Sequence, residues 1–167
     1  MIVKKEILKS LSGLNRSYQR AKSQREAFLC SKLAILELCG WIEESMDDVV
    51  LRYAKRHLKI AANVKFVESE IVKKTHGFDY EFHFRRMLIR LVGLINVEKI
   101  EKTVDQHKQA KLKATLAALK IVRDSQAHTH TKGTTQRIDA PSVTLSQLPV
   151  LYDGLKEYDR TLRTIRF

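Results

Sequence analysis

Leu116-Ala117-Ala118-Leu119-Lys120-Ile121-Val122-Arg123-Asp124-Ser125-Gln126-Ala127-His128 closes a helix-forming, partly apolar segment with an arginine and, five positions on, a histidine. Arginine stays charged at any ordinary pH and presents a planar fork that fits phosphate oxygens, whereas histidine exchanges a proton near neutrality. Together they are the two tools needed to cleave a ribonucleotide backbone without a metal. Residues five apart on a regular helix are turned by roughly 140°, so Arg123 and His128 share a face only loosely, while Asp124 and His128, four apart, stack directly. Two routes would bring the pair together: unwinding of the helix from Ala127 to His130, or a second copy of the chain supplying its own pair across a two-fold axis. The plainer reading is a surface arginine and a histidine near a helix C-terminus, where an imidazolium suits the helix dipole.

The segment Arg123-Asp124-Ser125-Gln126-Ala127-His128 resembles the R-polar-x-x-x-H signature of HEPN domains, all-helical proteins that include many ribonucleases of toxin–antitoxin and phage-defence systems. Upstream, Phe28-Leu29-Cys30-Ser31-Lys32-Leu33-Ala34-Ile35-Leu36-Glu37-Leu38-Cys39-Gly40-Trp41-Ile42-Glu43-Glu44 resembles the long first core helix of bacterial HEPN families. His76-Gly77-Phe78-Asp79-Tyr80, followed by Phe84-Arg85-Arg86-Met87-Leu88, resembles their central loop and helix. The likeness spans residues 24 to 165, and its specific part is the Arg/His motif. One departure is Asp124, which puts a carboxylate where the family often has Asn, close to where phosphate would bind.

This resemblance implies a single-domain, all-α HEPN-like helical bundle over residues 1–167, in which 1–23 form an N-terminal extension. It implies a metal-independent endoribonuclease in which the ribose 2′-OH attacks the adjacent phosphorus and leaves a 2′,3′-cyclic phosphate and a 5′-hydroxyl. In that scheme His128 transfers protons, Arg123 stabilises charge on the phosphoryl oxygens, and Asp124 positions one or both. A homodimer is implied, because the family usually builds its cleft from two copies; a cognate antitoxin or defence-system protein is a further candidate partner. The alternative is a non-catalytic HEPN-like module that dimerises and docks RNA or protein without cutting.

Charge points the same way. The chain of 167 residues carries 31 Lys plus Arg against 19 Asp plus Glu, a formal net charge of +12, which favours a polyanionic partner such as RNA. Arg16, Arg20, Lys22 and Arg25 follow one another with no acid between them, and Tyr18 among them suits base stacking. Lys108, Lys111, Lys113 and Lys120 lie along the helix leading to Arg123. The expected RNA contacts are therefore Arg16, Arg20, Arg25 and Lys120, with Ser125 and Gln126 as secondary hydrogen-bonding groups. Exposed helix faces whose charges serve solubility are the bland counterpart.

Cys30 and Cys39, nine apart in one helical stretch, fall on opposite sides about 13 Å apart along the axis, too far for a disulfide. The N-terminus lacks the apolar core of a signal peptide, and Glu37 and Arg90 interrupt the two most hydrophobic stretches before they reach membrane-spanning length. A cytoplasmic protein is expected. His128 and His130 form an H-x-H pair to which His76 and His83 would add, but no cysteine or carboxylate pattern of accepted spacing accompanies them, so neither metal nor cofactor is expected.

Periodicity predicts helices nearly throughout. Ile7, Leu8 and Leu11 would face inward from a short helix stopped by Ser12 and Gly13. Phe28, Leu29, Leu33, Leu36, Cys39, Gly40 and Ile42 form an apolar stripe, and Asp47 or Asp48 would cap a separate helix through His57. Further helices are expected around 63–74, at Phe84 to Val92 with Gly93 closing it, near 97–102, and from Val104 to Ala127. Thr129 to Ser142, rich in Thr with Gly and Pro, reads as a mobile loop, after which Thr144 or Ser146 starts the last helix with Pro149 in its first turn.

Overall fold

The computed structural model describes residues 2–127 and 138–165. His128 to Arg137 therefore lie outside the described residues, and with them His128, His130 and most of the expected loop. The elements are all helical: α1 (Lys5–Gln19), α2 (Gln24–His57), α3 (Ala61–Phe66), which runs on into wider π-type turns at Val67–Val72, α4 (Arg85–Val92), preceded by a second π-type segment at Tyr80–Phe84, α5 (Leu94–Thr103), α6 (Gln106–Ala127) and α7 (Pro141–Thr164). None of the described helices is long and apolar enough to cross a membrane. This is an all-α, single-domain bundle, as the sequence predicts.

Its axis is α2, 34 residues long and about 50 Å from end to end at 1.5 Å per residue. It starts at Ser23, whose hydroxyl accepts the Glu26 N–H at 3.2 Å, while the Glu26 carboxylate accepts the Lys22 N–H at 2.7 Å. Ala34, Ile35, Leu38, Cys39, Ile42, Met46, Val49, Val50, Tyr53 and Ala54 make a continuous buried seam. Two expectations fail here. No break occurs at Asp47 or Asp48, because the buried positions at Met46, Val49 and Val50 carry the seam straight past them. Leu29, Leu33, Leu36 and Gly40 face outward, since α2 bears two apolar stripes and the neighbouring helices cover the other one.

Nor is α1 stopped at Ser12 and Gly13. Each lowers helix propensity by no more than about 1 kcal/mol, which the burial of Ile7 and Leu11 against α2 and α7 exceeds. Leu8 points to solvent. The chain ahead of α1 is strapped down as well, with Ile2 buried and the Trp41 indole N–H donating to the Val3 carbonyl at 2.8 Å.

At the other end, α7 begins earlier than expected. Pro141 takes the first helical position, where its missing N–H costs nothing, so Pro141 and Ser142 are helical and Pro149 stands inside the helix in an exposed position. α7 packs on α1, α2 and α6. Its approach to α6 depends on Gly154, where a β-carbon would stand 2.8 Å from the Leu112 Cβ.

A closed polar chain ties the remaining elements to α7. Gln109 donates to the Tyr158 hydroxyl at 2.6 Å, the Tyr158 and Tyr80 hydroxyls are 2.6 Å apart, and Tyr80 donates to Glu101 at 2.7 Å. Because Tyr80 spends its proton on Glu101, Tyr158 must donate to Tyr80 and accept from Gln109. Arg85 completes the chain with its Nε 2.8 Å from Glu101. Burial pushes both tyrosines far above their usual range, Tyr158 up to about 12, so both stay neutral donors.

Candidate functional site

Along α6 the core-facing positions recur as Leu112, Leu116 and Leu119, all buried. Three- and four-residue steps next reach Arg123 and Gln126, polar residues where the stripe calls for apolar ones. A cation at a core register either makes an ion pair or serves a ligand, and here it is held on three sides. The Arg123 guanidinium lies 5.4 Å from the centre of the Phe78 ring, its Nη2 is 3.4 Å from Glu43 Oε1 on α2, and its Nη1 is 3.1 Å from Asp124 Oδ1. Asp124 in turn takes Lys120 Nζ at 2.8 Å, one helical turn back. With 29% of its side chain exposed, Arg123 is fixed yet reachable from solvent.

The platform beneath it comes from the 76–84 loop. Phe78 is buried, and Gly77 makes the turn before it with φ 125°, a conformation that favours glycine; a β-carbon there would sit 2.7 Å from the His83 ring. His83 Nδ1 accepts the Asp79 N–H at 3.1 Å, and Asp79 Oδ1 accepts the Phe82 N–H at 2.8 Å, so the loop is pinned at both edges.

Around the guanidinium, two cations (Arg123, Lys120) meet two carboxylates (Asp124, Glu43). Cys39, one turn before Glu43, is pushed up to about 12, chiefly by burial; Arg123 pulls it down, and Glu43 and Asp124 push it up. It is a neutral thiol at ordinary pH and no nucleophile. Asp47, one turn past Glu43, is raised to about 6 by burial first and then by Glu43, Asp48 and Glu44, with His76 opposing. The α2 wall of the site is thus acidic and its α6 wall basic.

The fold unites Arg123, Asp124 and Lys120 but separates other expected contacts. Gln126 is only 3% exposed, turned into the core by the same register that turns Arg123 inward, so it presents nothing to RNA from this position. Ser125 is exposed and donates its hydroxyl to the Val122 carbonyl at 2.7 Å. Arg16, Arg20, Lys22 and Arg25 gather at the turn between α1 and α2; Arg25 and Glu43 are 18 residues apart on one helix, about 27 Å along its axis. Lys108 and Lys113 are paired with Glu157 (2.9 Å) and Glu81 (3.1 Å). Of the second cluster only Lys120 stands beside Arg123, through Asp124, and the cluster at the α1–α2 turn does not flank it. Glu43, weak as a sequence signal because a surface Glu-Glu pair usually marks a solvated face, proves to contact the arginine; Phe78 is legible only through the irregular Gly77 turn. Among the described residues no group of three His, Cys, Asp or Glu side chains stands together as a metal cage.

No family model matches this chain, and no curated protein or solved structure is detectably similar to it.

Proposed function

We propose that this chain is a metal-independent endoribonuclease of the HEPN type, a homodimer acting on RNA in a toxin or defence setting. The observation that supports it is Arg123: a half-buried guanidinium at a core register, stacked on Phe78, oriented by Asp124 and Glu43, and five residues ahead of His128. In the reaction the ribose 2′-oxygen bonds to the adjacent phosphorus as the bond from phosphorus to the 5′-oxygen breaks. The proton lost by the 2′-hydroxyl and the one gained by the 5′-oxygen balance, and His128 is assigned to carry them. Arg123 stabilises the phosphoryl oxygens, held by Asp124; the longer contact, to Glu43, is the one a phosphate displaces.

Purified protein incubated with total RNA, with and without EDTA, tests this. Cleavage should survive chelation and leave 2′,3′-cyclic phosphate ends. Arg123→Ala and His128→Ala should each lose at least about 100-fold in rate with circular dichroism retained. Activity in both variants would sink the assigned roles, and loss on chelation restored by manganese would overturn metal independence. Light scattering should give about twice the 19.3 kDa of one chain; a monomer with full activity would reject the dimer. The two carboxylates already on Arg123 favour a second reading, a non-catalytic RNA-binding module. Wild-type protein that binds RNA tightly without cutting it would select that one.

A further inference from the structure

The π-type segment Tyr80–Phe84 buries Tyr80 and Phe84, while Phe82, midway between them, leaves 60% of its surface exposed. Its backbone is fixed by the Asp79 carboxylate, so the ring is displayed from a rigid base. The Arg86 guanidinium lies 5.1 Å from the centre of that ring, and Arg86 makes no ion pair among the described residues. One turn further along α4, Arg90 is also exposed. A flat aromatic face with two guanidinium groups at helical spacing matches a nucleotide, whose base stacks and whose phosphates take the cations. The outward leucines of α2, at 29, 33 and 36, are aliphatic and flanked by Glu37, and offer neither feature.

Location favours the same ligand. Phe78, which lies beneath Arg123, is four residues before Phe82, and four residues of chain span no more than about 14 Å. A strand whose phosphate is held at Arg123 therefore has its neighbouring nucleotides within reach of Phe82. We infer that Phe82, Arg86 and Arg90 form a base-stacking platform for single-stranded RNA beside the Arg123 centre, an assignment that rests on the ribonuclease reading. An unpaired base reaches the ring; a base inside a duplex, stacked on both faces, does not.

The test is fluorescence titration with a single-stranded oligoribonucleotide that contains 2-aminopurine and carries 2′-O-methyl riboses, which block the attacking hydroxyl. Wild-type protein should bind it and quench the probe. Phe82→Leu keeps an apolar side chain without a π face and should weaken binding about 5- to 100-fold and abolish quenching, and Phe82→Trp should restore both. Arg86→Gln should flatten the dependence of affinity on salt whether or not the Phe82 variants fold. If wild type binds and Phe82→Leu binds and quenches equally, the platform is wrong and the ribonuclease reading stands. Equal affinity for duplex RNA of the same sequence would also overturn the platform. If wild type neither binds the probe nor cuts unmodified RNA, the ribonuclease reading falls and the platform with it.

Discussion

The two ends of α6 solve opposite problems with the same kinds of side chain. Its first half closes on α7: Gln109, Tyr158, Tyr80, Glu101 and Arg85 form an unbroken chain of contacts of 2.6–2.8 Å, and Leu112 meets the bare backbone of Gly154. Its second half ends in Arg123, whose contacts to Asp124 and Glu43 are looser, at 3.1 and 3.4 Å, and whose side chain is partly open to water. A polar network satisfied throughout holds elements together and has nothing to give a ligand without breaking. A cation held by long contacts at the rim has donors that a phosphate can claim. An arginine with carboxylates is thus a structural tie in one place and a candidate site in the other, and geometry separates them.

That contrast is most severely tested at the closed end. Gly154→Ala places a methyl group 2.8 Å from the Leu112 Cβ, an atom close to its own backbone that cannot swing aside, so α6 and α7 must part. A loss of about 3 kcal/mol is expected, read from the urea midpoint. Tyr158→Phe should cost about 2 kcal/mol by leaving Gln109 and Tyr80 short of a partner, without changing RNA cleavage by the protein that remains folded. Arg123→Ala should do the reverse: no more than about 1 kcal/mol of stability, with cleavage lost. Stability falling as far in Arg123→Ala as in Tyr158→Phe would mean that both ends of α6 are structural.

Much of this was legible. Gly93 separates α4 from α5 as expected, and α6 is helical through Arg123 to Ala127 as expected. The stripe of Leu112, Leu116 and Leu119, which places Arg123 at a core register, is a signal in the sequence that reading the Arg/His motif by itself passes over. What could not be read is the choice between alternatives of equal local merit. α2 carries apolar residues on two faces, and only the packing of α1, α6 and α7 decides that Leu38 is inside and Leu36 outside. Glu43 and Phe78 reach Arg123 across 80 and 45 residues of chain, contacts made by the fold that no local pattern records. The basic run at Arg16 to Arg25 lies at the α1–α2 turn, away from Arg123, a placement that charge density alone does not specify.

The smallest expected effect lies on the acidic wall facing Arg123. Asp47 is raised from 3.8 to about 6, mainly because burial disfavours its ionised form and then because Glu43, Asp48 and Glu44 repel it. A carboxyl whose folded value is raised supports the fold fully below the unfolded value and loses that support as pH climbs through the folded one. Wild-type stability should therefore carry a downward component between about pH 4 and pH 7. Asp47→Asn, which cannot ionise, should lack it and stand on the order of 1 kcal/mol above wild type at pH 7.5, the shift being discounted because the group is partly open to screening by water. At pH 4 the two proteins should unfold at nearly the same urea concentration. A constant difference at both pH values would show that the substitution acts through something other than the charge of Asp47. A variant less stable than wild type at pH 7.5 would mean that the ionised carboxylate is favoured there, with His76 outweighing burial.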